Sequence, residues 1–292
     1  MIYVKLILMA MFWGGTFIAG RVASQYSGPY TAAFLRFVMA SAFLLFVAGR
    51  GHGLFDTVKP RHWLGLVLMG MTGVFAYNVF FFSGLKTVEA GRAALIIANN
   101  PVIIAVAARI LYRELLPPRK ALGILLSVTG AVVVITRGHP SLILGETVTI
   151  GEVYISLCVA SWVAFSLIGK KVLVDLSPLV SITWASIVGA AALLPPAVAE
   201  GIASTAPELP LVYWIAVAYL GFFGTALGFV WYYQGIQRIG PARASLFINF
   251  VPVSAVLLGW AILDEPLTRS ILAGAALVCT GVYLTNLPVK RK

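Results

Sequence analysis

Long apolar runs, separated by short polar punctuation, occupy almost the whole chain. An α-helix needs about 20 predominantly apolar residues to cross a bilayer. Ten stretches qualify: 3–23, 30–49, 63–85, 92–112, 119–137, 149–169, 178–199, 211–236, 241–263 and 269–288. Sustained alternation of period two is missing, which excludes an outer-membrane β-barrel. The pattern predicts an all-α integral membrane protein with ten transmembrane helices. The first run carries Lys5 but no small-residue cleavage site ahead of a soluble domain, so it reads as a retained helix rather than a signal peptide.

The pattern also repeats. Trp63, Gly70, Gly73, Gly84, Arg92, Pro101, Glu114, Gly123 and Gly130 recur 151 residues later as Trp214, Gly221, Gly224, Gly235, Arg243, Pro252, Glu265, Gly274 and Gly281. Ahead of Trp63 the offset is 149, matching Trp13 to Trp162, Gly20 to Gly169 and Pro29 to Pro178. Chance likeness between apolar segments would match Leu, Ala and Val, not scarce Trp and Pro in fixed register. The chain therefore divides into residues 1–138 and 145–292, with the junction near Gly138–Gly145. Each unit holds five helices. Five is odd, so the second unit enters from the opposite side, and the repeats are inverted about an axis in the membrane plane. Carriers built this way bind substrate between the repeats.

Composition agrees: 60% of residues are hydrophobic and 11% charged. The net charge of +11 needs an explanation. With the N-terminus inside, 15 basic residues fall on the inner side, among them Lys5, Lys59, Arg61, Lys170, Lys171, Arg238 and the Lys290–Lys292 tail. Only Arg21, Lys86, Arg92, Arg137 and Arg269 fall outside. The positive-inside rule then predicts a multi-pass membrane protein with both termini cytoplasmic. The charge reflects topology and anionic lipid headgroups, not a nucleic-acid partner.

Catalytic or metal chemistry finds no support. Cys158 and Cys279 lie inside spans without a CxxC or Cys/His cluster and read as packing residues. His52, His62 and His139 sit in or beside loops and read as solvated. With no Walker motif, no paired acids and no activated nucleophile, the chain is not expected to be an enzyme or to need a cofactor or metal. None of the ten acidic residues sits at the centre of a span. Glu152, one turn into the sixth, reads as facing the outer headgroups. Glu114 and Glu265 are expected to serve the start of the next helix or to pair with an Arg. Without an intramembrane carboxylate, transport down the substrate's own gradient is expected, with no obligatory proton exchange.

Several segments resemble a known family: Phe12-Trp13-Gly14-Gly15-Thr16-Phe17, Phe34-Leu35-Arg36-Phe37, Ser161-Trp162-Val163-Ala164-Phe165, and the helices ending Glu114-Leu115 and Glu265-Pro266-Leu267. The chain is similar over nearly its whole length to the drug/metabolite transporter superfamily in its EamA-type branch. Around Tyr77–Phe82 it is similar to bacterial amino-acid exporters, including the aromatic type. The resemblance implies outward export through a cavity surrounded by helices of both repeats.

The residues themselves point to the same place. Pro101 and Pro252 each interrupt a span about halfway and free the carbonyls of Ile97 and Ile248. Nearby Asn99, Asn100 and Asn249 are either site residues or interhelical glue. Tyr77 and Phe81 share a helix face with Asn78 between them, and their repeat mates are Gly228 and Tyr232. Trp162 with Phe165 ranks above Trp13 as an aromatic wall. Arg36 could snorkel, meet a carbonyl or hold a carboxylate; its place in the family motif favours a structural role. Gly20 and Gly169 serve as hinges or as packing positions.

The resulting reading is an alternating-access carrier of small amphipathic solutes, chiefly amino acids including aromatic ones. The alternatives are an exporter of nucleosides, bases or drugs in the same fold, and a channel without a transport cycle. Saturable counterflow separates carrier from channel. Nothing in the sequence sets the oligomeric state, and a monomer would suffice.

Overall fold

In a bilayer, unpaired backbone N–H and C=O groups find no water, so lipid-facing apolar runs satisfy themselves as helices. The computed structural model describes residues 2–49, 58–100, 102–103, 107, 110, 117–138, 148–239 and 246–286. Among these residues every regular element is helical. In chain order they are α1 (Ile2–Tyr26), α2 (Pro29–Gly49), α3 (Pro60–Leu85), α4 (Ala90–Ile97), α5 (Pro118–Ile135), α6 (Ile150–Val172) and α7 (Pro178–Ala199). After two short helical turns (Ile202–Thr205 and Ala206–Glu208) follow α8 (Leu211–Tyr219, continuing through Leu220–Leu227 and Gly228–Ile239), α9 (Phe250–Leu263) and α10 (Arg269–Asn286). Seven of the described helices, α1–α3 and α5–α8, are long and apolar enough to cross a membrane, and α9 and α10 are shorter apolar helices.

Local chemistry sets the helix starts. Pro118 and Pro178 occupy first-turn positions, where a missing N–H costs nothing. Ser177 Oγ accepts from the Val180 N–H to cap α7. Thr149 and Glu152 form a capping box at α6. Two caps are long-range. The Glu200 carboxylate, just past α7, accepts from the Tyr30 and Thr31 N–H groups at the start of α2. Glu265, just past α9, accepts from Ala90 and Gly91 N–H at 2.7 and 3.0 Å. Glu265 was expected to serve the next helix or an Arg. It serves α4, in the other repeat, because α9 crosses α4 and brings a helix N-terminus beside a carboxylate disfavoured at its own helix's C-terminus. Glu114 lies outside the described residues.

The contacts between the repeats keep their pattern when α1–α5 are exchanged with α6–α10. Helix α1 packs on α8 as α6 packs on α3; α1 meets α9 as α6 meets α4; α2 meets α8 as α7 meets α3. The pairs α2–α7, α4–α9 and α5–α10 map onto themselves. Lipid tails are as apolar as Leu, so close packing drives this association, and small residues allow it. Along α5–α10 the seam is glycine on glycine: a Cβ on Gly130 would meet the Gly274 carbonyl oxygen at 2.8 Å, and one on Gly281 would meet the Gly123 carbonyl oxygen at 2.5 Å.

A second repeated feature lies in α3 and α8. Both lose α-helical register for about two turns and become π-helical, over Gly70–Ala76 and Leu220–Leu227. A π-helical insert leaves backbone carbonyls poorly used by their own helix and open to side chains. These segments hold the recurring glycines Gly70/Gly73 and Gly221/Gly224.

Candidate substrate cavity

Between the repeats lies a cavity of about 510 Å³. It is lined from α3 (Met69, Tyr77, Asn78), just past α4 (Ala98, Asn100), from α6 (Trp162, Phe165, Gly169) with Leu173 just beyond it, and from α7 (Ile182, Ser186), α8 (Gly224, Tyr232), α9 (Val251, Pro252) and α10 (Val278, Val282), with Trp13, Thr16, Phe17 and Arg36 from α1 and α2. These residues come from the middle and one end of the helices. Towards the other end Phe17, Phe81, Phe82, Leu85, Val88 and Ile155, each 5% exposed or less, pack into one cluster and close the space.

The walls are aromatic. Tyr77 lies 5.4 Å from Trp162, and Trp162 lies 5.3 Å from Phe165, measured between ring centroids. Across from them Trp13 sits 5.6 Å from Tyr232. Trp13 Nε1 donates to the Gly224 carbonyl at 2.9 Å, which satisfies an indole N–H that the bilayer interior cannot. Gly224 belongs to the π-helical part of α8. Gly228, the repeat mate of Tyr77, lets Trp13 approach: a Cβ there would lie 2.4 Å from Trp13 Nε1.

The polar groups form a small framework on the same π-segments. Asn78 Nδ2 donates to the carbonyls of Val74 (2.8 Å) and Gly73 (3.3 Å), both in the α3 insert. Thr225 Oγ1 donates to the Leu220 carbonyl five residues back, in the α8 insert. The two side chains then accept from one guanidinium: Arg36 Nη1 donates to Asn78 Oδ1 at 2.9 Å, and Nε and Nη2 reach Thr225 Oγ1 at 3.4 and 3.3 Å. Arg36 also stands over the Phe37 ring. It does not snorkel to the headgroups; it is 9% exposed and lines the cavity.

Of the residues singled out from sequence, Tyr77, Asn78, Asn100, Trp162, Phe165, Tyr232, Gly169 and Pro252 line this cavity. Phe81 does not. It is 2% exposed and packs against Phe17 and Phe82, at 5.5 Å between ring centroids in each case, in the closing cluster. Asn99 does not either. Its amide donates to the Leu95 and Ile96 carbonyls where α4 ends, and its oxygen accepts from Ser127 Oγ of α5 at 2.8 Å, so it is interhelical glue. At Gly20 the helix is closely packed, since a Cβ there would lie 2.5 Å from the Phe81 ring. Pro252 sits in the first turn of α9 rather than mid-helix, preceded by a 3-10 turn over Leu246–Asn249. Pro101 and the side chain of Asn249 lie outside the described residues.

Two further expectations need correction. Glu152 does not face the headgroups. It is 3% exposed, pairs with Arg92 and accepts from the Thr149 N–H and hydroxyl. Arg92 additionally donates to the Val134 and Ile135 carbonyls at the end of α5. Helix ends of α4, α5 and α6 converge there, which the linear pattern does not show. His62 is 8% exposed, with Nε2 3.3 Å from Asp175, and so is not a solvated surface group; His52 and His139 lie outside the described residues. Sequence reasoning missed Thr16 and Thr225 and the framework around Arg36. The available signal was the repeated glycine pair that marks both π-helical inserts.

A helical bundle of two like halves, with a cavity of aromatic walls and sparse polar groups between them, belongs to the class of multi-pass membrane transporters. The EamA-like transporter family model matches residues 1–136 and 149–287, and the chain belongs to that family. It is 30% identical to the uncharacterized transporter YyaM of Bacillus subtilis (strain 168) over 98% of this chain and 93% of that one. It is 28% identical, over 96% and 92% of the two chains, to a probable terminal-alkyne amino-acid exporter of Streptantibioticus cattleyicolor. It is 24% identical, over 95% and 92%, to a probable amino-acid metabolite efflux pump of Salmonella typhimurium. One crystal structure shares the fold at a TM-score of 0.67 and 21% identity, covering 97% of this chain and 96% of that one.

Proposed function

We propose that this protein is an inner-membrane carrier that exports amino acids, aromatic ones included, by alternating access between two inverted five-helix repeats, residues 1–138 and 145–292. The observation that carries the reading is the cavity between the repeats. Its walls are mostly apolar and aromatic, which suits solutes with variable side chains, and its few polar groups can orient one common end. Tyr77, Trp162, Phe165 and Tyr232 form the aromatic contacts, with Asn78 and Asn100 as polar ones. Gly169 of α6 and Pro252, in the first turn of α9, are the points about which the helices rock. Two relatives named for amino-acid export or efflux support the substrate class.

The distribution of lining residues adds a direction. The lining reaches Leu173, just past α6 and two residues after Lys171, and Tyr232 of α8, which Arg238 follows. By the positive-inside rule that end is cytoplasmic. This conformation would load substrate from the cytoplasm, with the Phe17–Phe81–Phe82 cluster as the outer seal.

The test is counterflow in proteoliposomes with a panel of labelled amino acids, nucleosides and cationic drugs. Saturable, trans-stimulated amino-acid uptake is expected, reduced several-fold by Tyr77→Ala or Trp162→Ala at normal insertion. Full transport by both variants would remove the cavity as the site. Counterflow of nucleosides alone would select the stacking alternative, and unsaturable flux the channel.

A further inference from the structure

Among the described residues Arg36 is the only charged one lining the cavity, and its partners are neutral. The other deeply buried arginine, Arg92, has a carboxylate and two backbone carbonyls. A buried guanidinium without an anion is costly, so membrane proteins either pair it or use it. Five N–H donors project from a guanidinium. Three contacts are made here, two of them long ones to the single Thr225 oxygen, and among the described residues no acidic one lines the cavity. Asn78 and Thr225 are in turn anchored on carbonyls of the two π-helical inserts, so the guanidinium is held in place from both repeats. The cavity also holds an acceptor without a donor: Asn100 Oδ1 is buried and has no hydrogen-bond partner among the described residues.

Resting on the carrier reading above, we infer that Arg36 is the receptor for a substrate carboxylate, so that the transported class is carboxylate-bearing solutes with an apolar body, α-amino acids first among them. A carboxylate accepts two parallel N–H bonds from a guanidinium and supplies the missing countercharge. The apolar body then lies against Tyr77 and Trp162, and the unpartnered Asn100 oxygen is the acceptor an ammonium group would seek. The same fixed cation repels cationic amphiphiles. It is shared between the repeats through Thr225 of α8 and Asn78 of α3, so filling it biases how the repeats sit against each other.

The experiment uses the full chain in lipid nanodiscs and four probes of one shape: L-phenylalanine, 3-phenylpropionate, L-phenylalaninamide and phenethylamine. Binding is read by calorimetry and by thermal protection. Phenylalanine and 3-phenylpropionate should bind, while the amide and the amine, which lack a carboxylate, should bind at least about tenfold more weakly, a loss of about 1.4 kcal/mol. Arg36→Lys keeps the charge but loses the planar fork, and should weaken carboxylate binding about tenfold or more. Arg36→Gln should abolish it. If Arg36→Gln does not fold, the wild-type probe series and Arg36→Lys still decide. The inference is overturned if the amide or amine binds as tightly as phenylalanine, if none of the four binds, or if Arg36→Lys and Arg36→Gln bind phenylalanine as the wild type does. Tighter binding of phenylalanine than of 3-phenylpropionate identifies the amino acid as the source of the carboxylate; equal binding extends the class to plain organic acids. Carboxylate-selective binding without counterflow would sink the carrier reading and leave the receptor standing. Counterflow of phenylalanine that is indifferent to Arg36→Lys and shared by the amide would sink the receptor alone.

Discussion

Glu152→Gln is the substitution whose cost the structure defines best. The glutamate receives three hydrogen bonds: from the Arg92 guanidinium, from the Thr149 N–H at 2.9 Å and from the Thr149 hydroxyl at 3.1 Å. Glutamine keeps the shape but removes the charge. A hydrogen bond to a charged group contributes about 1 kcal/mol more than one to a neutral group, so three of them give about 3 kcal/mol. Stranding one partner of a buried ion pair costs about 3–5 kcal/mol. Arg92 keeps the Val134 and Ile135 carbonyls, at 3.3 and 3.2 Å, which places the expectation at the lower end, about 3 kcal/mol. Removing both charges, in Arg92→Met/Glu152→Gln, should restore part of the loss, with a coupling of about 2 kcal/mol. Equilibrium unfolding in mixed micelles, run as a double-mutant cycle, measures both quantities. A single-mutant cost below about 1 kcal/mol, or strictly additive effects, would refute a coupled pair that ties α4 and α6 to the end of α5.

The remaining predictions concern topology and energetics. A single cysteine placed in the Lys290–Lys292 tail, with Cys158 and Cys279 replaced, should be labelled only from the cytoplasmic face; labelling from outside would reverse the assigned orientation. In proteoliposomes given a pH gradient of either sign, substrate flux should follow the substrate gradient alone, because no acidic residue among those described lines the cavity and Glu152 is committed to Arg92. Accumulation against the substrate gradient that a protonophore abolishes would show proton coupling.

Which elements form is local information in this chain. Apolar runs of about 20 residues have one outcome in lipid, because each must satisfy its own backbone, and so the helices at Ile2–Tyr26, Pro29–Gly49 and Pro178–Ala199 fall within a few residues of the spans read from hydropathy. The two-unit organisation was legible as well, because Trp, Pro and Gly recur at constant register. Two of the aromatic cavity positions, Tyr77 and Trp162, could be marked from their depth in a span alone.

Facing direction and partner choice were not local. Tyr77 and Phe81 share a helix face, yet one lines the cavity and the other is buried, because Phe81 packs on Phe17 and Phe82 from α1 and its own helix. Asn99 and Asn100 are neighbours, yet one is spent on Ser127 and the other borders the cavity, a consequence of where α4 ends against α5. Glu265 caps a helix 174 and 175 residues away, and Glu152 meets an arginine 60 residues away. Arg36 had three possible fates from sequence. Only the crossing of α2, α3 and α8 set its guanidinium against Asn78 and Thr225 and held it at the cavity wall. Hydrophobic periodicity reports how a segment meets its solvent. In a bilayer the solvent and the protein interior are equally apolar, so that signal cannot say which side of a helix faces lipid, a neighbouring helix or the cavity; the packing of glycine seams and buried polar groups decides it.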